Sequence, residues 1–458
     1  MVDTQPPLNR HDAAELRGWA GLAMLSLAIA GVFALLLALS RVPGIQDIFP
    51  WPLDFFQKGL VIHVVFSFAV WFLAVMGALL HLATARLAGE IGTSGTIRNP
   101  ILVAAYVSCL LLFVPAFMDR GEASLNNYIP AISDPLYYAG LALLGIAVAI
   151  KTVDLLIRLP GSNGEWKRPF VLSMMTTGLI YLAALAAFGI ALMQLDGQPL
   201  SYDFNENLFW GGGHILQYAN TALLLVALYQ LGRLTLGRDI VGCKTMAWAM
   251  GLLGVYALIG LAISLTYGPD SERYFSQFTN MQYGLAAPSL LFAVVAFPVI
   301  RSSGPLPWRD PAFLCLAAAP LVFAVGGFLG LFVDGADTRT PAHYHGVIAA
   351  INLSFMGLFY GLFLPVLGRA LKPGKALYAQ IYMFAGGQTV AAIGLFLAGG
   401  YGTPRKTAGG DQGLEEMGAI VGMYLNGIGA LIAIIGGVMF IWMVSKALLK
   451  APTETINS

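Results

Sequence analysis

Charge is scarce in this chain. Lys and Arg number 25 and Asp and Glu 24 in 458 residues, so 11% of positions are charged and 58% are apolar. A soluble protein is closer to a quarter charged, and this one has too little charge to cover a water-facing surface. Cysteine is nearly absent. Cys109, Cys243 and Cys315 stand far apart with no C-x-x-C pair, which excludes a disulfide-stapled secreted scaffold. A net charge of +1 gives no electrostatic reason to expect a nucleic-acid partner. No Ser/Pro-rich linker, long charge run or low-complexity stretch divides the chain, so residues 1–458 read as one integral-membrane domain. What is plentiful, Gly (53) and Met (16), suits membrane helices better than soluble ones.

Crossing about 30 Å of hydrocarbon takes about 20 apolar residues. Twelve such runs occur, near 18–40, 59–82, 99–118, 136–157, 169–194, 207–232, 245–267, 280–300, 311–333, 342–368, 377–399 and 418–445. The fold class is therefore all-α and multi-pass. Sorting Lys and Arg by alternate loops puts eighteen on the side of the termini and seven on the other. The positive-inside rule then makes both termini cytoplasmic.

Six histidines are few enough to place one by one. His11, in the polar tail, and His81, near the cytoplasmic end of the second run, read as surface or interfacial residues. His63, His214, His343 and His345 all fall near the outer ends of their runs. Polar side chains inside a membrane are costly and mark functional interiors, and four at one depth on three runs form a set. His343 and His345 are two apart, about 200° around a helix, so each can face a different cofactor. His214 and Tyr218, four apart, share a face. His63 is free to pair with one histidine of the tenth run across a six-coordinate haem, whose iron accepts axial His.

These features resemble subunit I of the haem–copper oxidase superfamily, the catalytic chain of cytochrome c oxidases and nitric oxide reductases. Four local matches carry the resemblance. His63 stands where that family keeps a ligand of its low-spin haem. Trp210-Gly211-Gly212-Gly213-His214-Ile215-Leu216-Gln217-Tyr218 is similar to W-x-x-G-H-x-x-x-Y, whose His binds a distal copper and whose Tyr is the redox-active phenol. Asp337-Thr338 and Ala342-His343-Tyr344-His345 are similar to D-T…A-H-F-H, which implies His343 on the high-spin and His345 on the low-spin haem. Gly402-Thr403-Pro404-Arg405-Lys406 resembles G-x-P-R-R, which implies that Arg405 and Lys406 hold haem propionates. The implied bundle has twelve helices and two haems, b-type or else a- or o-type; with no C-x-x-C-H present, covalent c-haem is not expected.

The chain also departs from that pattern. The family's distal metal takes a further His-His pair, yet no His lies between His214 and His343. The equivalent stretch reads Ile263-Ser264-Leu265-Thr266-Tyr267-Gly268, or else Asn280-Met281-Gln282-Tyr283. Copper held by one imidazole would be weakly bound. Either the metal near His214 is absent, or hard ligands such as Asp270, Glu272, Tyr267 or Gln282 select iron over copper. The oxidase glutamate after the copper-binding His is Leu216, the eighth run carries no lysine, and Asp154 is the main carboxylate inside a run. Proton pumping is not expected, and protons would enter from the outer side past Asp203, Glu206 or Asp334.

The resulting expectation is a di-haem respiratory oxidoreductase that reduces nitric oxide, or oxygen, at the high-spin haem. The alternative is a non-catalytic di-haem electron carrier or gas sensor that has lost the second metal. In either case the short outer loops leave no room for a donor domain. Electrons would come from a c-type cytochrome, a copper-containing subunit or a quinol.

Overall fold

The computed structural model describes residues 8–45, 53–88, 98–118, 120–333 and 335–452. It contains twelve helices long and apolar enough to cross a membrane. In chain order these are α1 (Arg10–Ser40), α2 (Phe56–Leu87), α3 (Pro100–Phe117), α4 (Pro135–Arg158), α5 (Pro169–Gln194) and α6 (Tyr202–Leu236). They continue with α7 (Cys243–Thr266), α8 (Glu272–Arg301), α9 (Pro311–Gly330), α10 (Arg339–Val366), α11 (Lys375–Gly400) and α12 (Met417–Leu449). The expected twelve-helix bundle is what forms.

Local chemistry sets where several of these helices begin and end. Asp134 caps α4 by accepting from the Leu136 amide, and Pro135 starts the helix where no N–H is needed. Ser201 caps α6 by accepting from the Phe204 amide, and Gly237 closes it at φ 66°. Asp310 and Pro311 repeat the α4 arrangement at α9.

Burial ranks the helices. The most apolar windows of α6 and α10 are 89% and 83% buried, against 22% for α8 and 28% for α12. The two helices that carry His214, His343 and His345 are thus the central ones, and α6 packs on α10. The outer faces keep large apolar side chains exposed, such as Trp248, Leu265, Phe297 and Trp442. That is the surface a lipid-facing bundle presents.

Glycine lets some of these helices touch backbone to backbone. A Cβ built on Gly326 of α9 would lie 3.0 Å from the Gly346 Cα of α10, and one on Gly346 would lie 2.5 Å from the Gly326 Cα. Larger residues would force the pair apart, as expected where small residues mediate close crossings.

Three features differ from the expected layout. Helix α8 starts at Glu272, eight residues before its apolar run, because Glu272–Met281 is amphipathic and buries Tyr274, Phe278 and Met281 on one side. Helix α1 starts at Arg10, which carries Asp12 and Glu15 into the interior. His81, expected near the surface, is buried among them: its Nδ1 lies 3.4 Å from Glu15, and Glu15 in turn pairs with Lys151 of α4 at 2.7 Å. Asp154 is therefore not the main interior carboxylate. Finally, the α3–α4 connection forms a small antiparallel hairpin, β1 (Ala123–Ser124) with β2 (Ala131–Ile132), and lifts Tyr128 at its tip.

Candidate active site

His343 and His345 lie on α10, His63 on α2 comes within range of His345, and His214 lies on α6, which packs on α10. His63 precedes a π-helical turn, Val65–Val70, in α2; such turns often mark functional sites in membrane helices. The Nδ1–H of His63 donates to the Ala30 carbonyl of α1 at 3.0 Å. His345 is half-buried and lies within electrostatic range of His63 and Arg41, with Gln388 of α11 in hydrogen-bonding reach. His343 turns the other way. Its Nδ1–H donates to the Gly326 carbonyl of α9 at 2.8 Å, in a slot where a Cβ on Gly330 would strike the imidazole. The two residues thus point to opposite sides of α10, as their spacing requires.

This donor set fits haem. In His63 and His343 a backbone carbonyl accepts a hydrogen bond from Nδ1–H, which fixes the tautomer and leaves the Nε2 lone pair for an axial bond. Haem iron bound there would supply electron transfer and gas ligation. The residues that hold it would be His63 and His345 for one haem and His343 for the other.

The cation motif also assembles. The backbones of Asp337 and Pro404 pair, and the Thr338 amide donates to the Thr403 carbonyl at 3.0 Å, so the D-T and P-R-K motifs form one corner. Arg405 lies within electrostatic range of Tyr344, the neighbour of His345. Lys406, at φ 63°, gives its ammonium to the Leu125 carbonyl of the hairpin loop. Burial, with Arg405 beside it, lowers the Lys406 pKa to about 8, against the opposing pull of Glu206. Arg41, unmarked by any motif, donates Nε to the Thr407 carbonyl at 3.2 Å and joins the same corner.

His214 is differently engaged. Its Nδ1–H donates to the Trp210 carbonyl one turn earlier at 2.8 Å, so its Nε2 is an acceptor. The Tyr128 hydroxyl lies 2.7 Å from that nitrogen and donates to it. Burial and Glu206 push the Tyr128 phenol far above its ordinary pKa, with Arg405 only partly opposing, so it stays a donor. Its ring sits 4.4 Å from the imidazole and edge-on to Trp210. The three glycines before His214 are each matched by an aromatic side chain: Gly211 by Tyr274, Gly212 by Phe188 and Gly213 by Tyr128. The paired Asn126 and Asn127, with Pro130 after them, are turn formers and the sequence signal for this loop.

Tyr218 shares the His214 face but is drawn elsewhere. It is fully buried, stacks on Tyr256 and donates to the Met281 carbonyl of α8 at 2.5 Å. The hard-ligand alternatives do not come in either. Asp270, Glu272 and Gln282 are exposed, and Tyr267 is half-buried and packs against the apolar core. Phe278, with Tyr274 beside it, covers the imidazole from α8. Among the described residues no three His, Cys, Asp or Glu side chains group to hold a metal ion. Asp203 is exposed, Glu206 binds the hairpin loop, and Asp334 lies outside the described residues.

Comparisons with known proteins point the same way. Over 96% of both chains the sequence is 24% identical to a protein of Rickettsia prowazekii described as uncharacterised. It is 28% identical to an uncharacterised Aquifex aeolicus protein over 78% of this chain and 86% of that one. It is 22% identical to cytochrome c oxidase subunit 1 of Thermus thermophilus over 94% and 83%. The fold matches a cryo-EM structure of a haem–copper terminal oxidase dimer at TM-score 0.79 and 16% identity, over 98% of this chain and 86% of that one. The model of the family "Cytochrome C and Quinol oxidase polypeptide I" matches residues 17–439, and the chain belongs to that family, the subunit I family of haem–copper respiratory oxidoreductases.

Proposed function

We propose that the chain is the haem-carrying subunit of a respiratory reductase, with a low-spin haem between His63 and His345 and a high-spin haem on His343. The observation that supports this best is the shared pose of His63 and His343, each with Nδ1 on a backbone carbonyl and Nε2 left to bind. Arg41, Arg405 and Lys406 supply cations at the outer corner where propionates would lie. Nitric oxide is the favoured substrate and oxygen the second. Reduction of nitric oxide needs no pump, and Leu216 and the lysine-free eighth helix leave the family's oxidase proton routes without their residues. Electrons would arrive from a c-type cytochrome, a copper subunit or a quinol. Both termini would be cytoplasmic.

The second reading is a di-haem electron carrier or gas sensor. It is favoured by one observation, that the His214 Nε2 already holds a phenol.

Spectra of the purified protein test the proposal. Two haems per chain, one binding CO in the reduced state, are expected, with nitric oxide consumed under an artificial electron donor. A protein without haem would overturn the reading. Two haems with no turnover of either gas would select the carrier.

A further inference from the structure

Resting on the haem reading above, we infer that the position beside His214 takes no metal and is filled by the Tyr128 phenol, making a metal-free Tyr–His pair the polar group of the distal site.

A metal can reach His214 only through a free ring nitrogen. Nδ1 carries the proton given to Trp210, and Nε2 accepts the Tyr128 O–H. The phenol is not a casual neighbour, because three independent devices place it. Tyr128 itself adopts φ 64°, a left-handed conformation that residues with a Cβ rarely take unless their surroundings hold them there. Gly213 leaves room for it: a Cβ at that position would lie 2.5 Å from both Cβ and Cγ of Tyr128. The loop on either side is pinned. Glu206 accepts from the Asn127 amide at 2.7 Å and from its side chain at 2.5 Å, Asn126 donates to the Ile129 carbonyl at 2.7 Å, and Lys406 donates to the Leu125 carbonyl.

The donor chemistry agrees. A lone imidazole is a poor copper site; Asp270, Glu272 and Gln282 are exposed, and among the described residues no three His, Cys, Asp or Glu side chains group to complete one. What the pocket offers instead is hydrogen bonding. Beside the Tyr–His pair, the Nε1–H of Trp210 is buried with no hydrogen-bond partner among the described residues, a donor suited to an oxygen atom of a small ligand or a water.

Two measurements on the detergent-purified holoprotein decide this. Iron and copper per chain are counted by mass spectrometry, as purified and after incubation with Cu(II) or Fe(II) followed by desalting. Iron equal to the haem content, with no stoichiometric retention of added metal, is expected. One non-haem metal per chain that disappears in His214→Ala would overturn the inference. The infrared C–O stretch of the reduced CO adduct is then compared between wild type and Tyr128→Phe. A shifted or split band at unchanged haem content is expected, because the variant leaves the imidazole in place and removes only its donor. An unmoved band would take Tyr128 out of the distal site. Failure of the haem reading is distinguishable: a haem-free chain would sink that reading, while the metal count at His214 would still decide the present one.

Discussion

The imidazole of His343 reaches the Gly326 carbonyl at 2.8 Å because α9 and α10 touch at Gly326 and Gly346, with no side chain between them. One backbone crossing therefore orients one ring. Gly346→Ala, whose Cβ would fall 2.5 Å from the Gly326 Cα, should push the helices apart and cost about 1–3 kcal/mol. The reduced-minus-oxidised spectrum should keep its low-spin component while CO binding weakens. Equal loss of both haems would show that the crossing supports the whole bundle rather than this ring.

The opposite placement of the neighbouring histidines separates their variants. His343→Ala should abolish the CO-difference signal and leave the low-spin haem. His345→Ala or His63→Ala should remove the low-spin spectrum, since each takes one of two axial nitrogens. Optical spectra with haem quantification check all three. Identical spectra from His343→Ala and His345→Ala would refute the assignment.

Lys151 and Glu15 form an ion pair in the interior, 1% and 5% exposed at their side chains. Lys151→Met would remove the Lys partner of this buried carboxylate and should cost about 3–5 kcal/mol, seen as a lower unfolding temperature in detergent. Adding Glu15→Gln should recover most of that loss, because a buried pair replaced as a whole is often near neutral. No recovery in the double variant would mean that His81 and Asp12 depend on the pair.

Lys406 makes stability depend on pH in the alkaline range. Its folded-state value of about 8 lies below the ordinary 10.5, so between these values the unfolded chain binds more protons than the folded one. Stability should then rise with pH across that window, and Lys406 should add no pH dependence below about 8. Melting temperatures of wild type and Lys406→Met between pH 7 and 10.5 test this. The difference between the two proteins should change only above about pH 8, and a flat difference would contradict it.

The sequence by itself determined the bundle. Apolar length fixes twelve crossings, since each must bury its own backbone polar groups in hydrocarbon. Helical spacing alone already turned His343 and His345 to opposite sides of α10, and the structure has them so. What sequence could not supply was anything decided between segments distant in the chain. Asp12 and Glu15 precede the first apolar run, and their burial follows only from α1 beginning at Arg10 and meeting Lys151 of α4. Tyr218 reads as the phenol of His214 by spacing, yet the Met281 carbonyl, sixty-three positions on, takes its hydroxyl. Tyr128 carries no motif and lies eighty-six residues from His214. Only a left-handed loop residue, a bare Gly213 and a carboxylate at Glu206 bring the two together. Helix and membrane crossing are local consequences of periodicity and length. The partner of a buried ring nitrogen is set by which chains meet in space, and that is decided by packing.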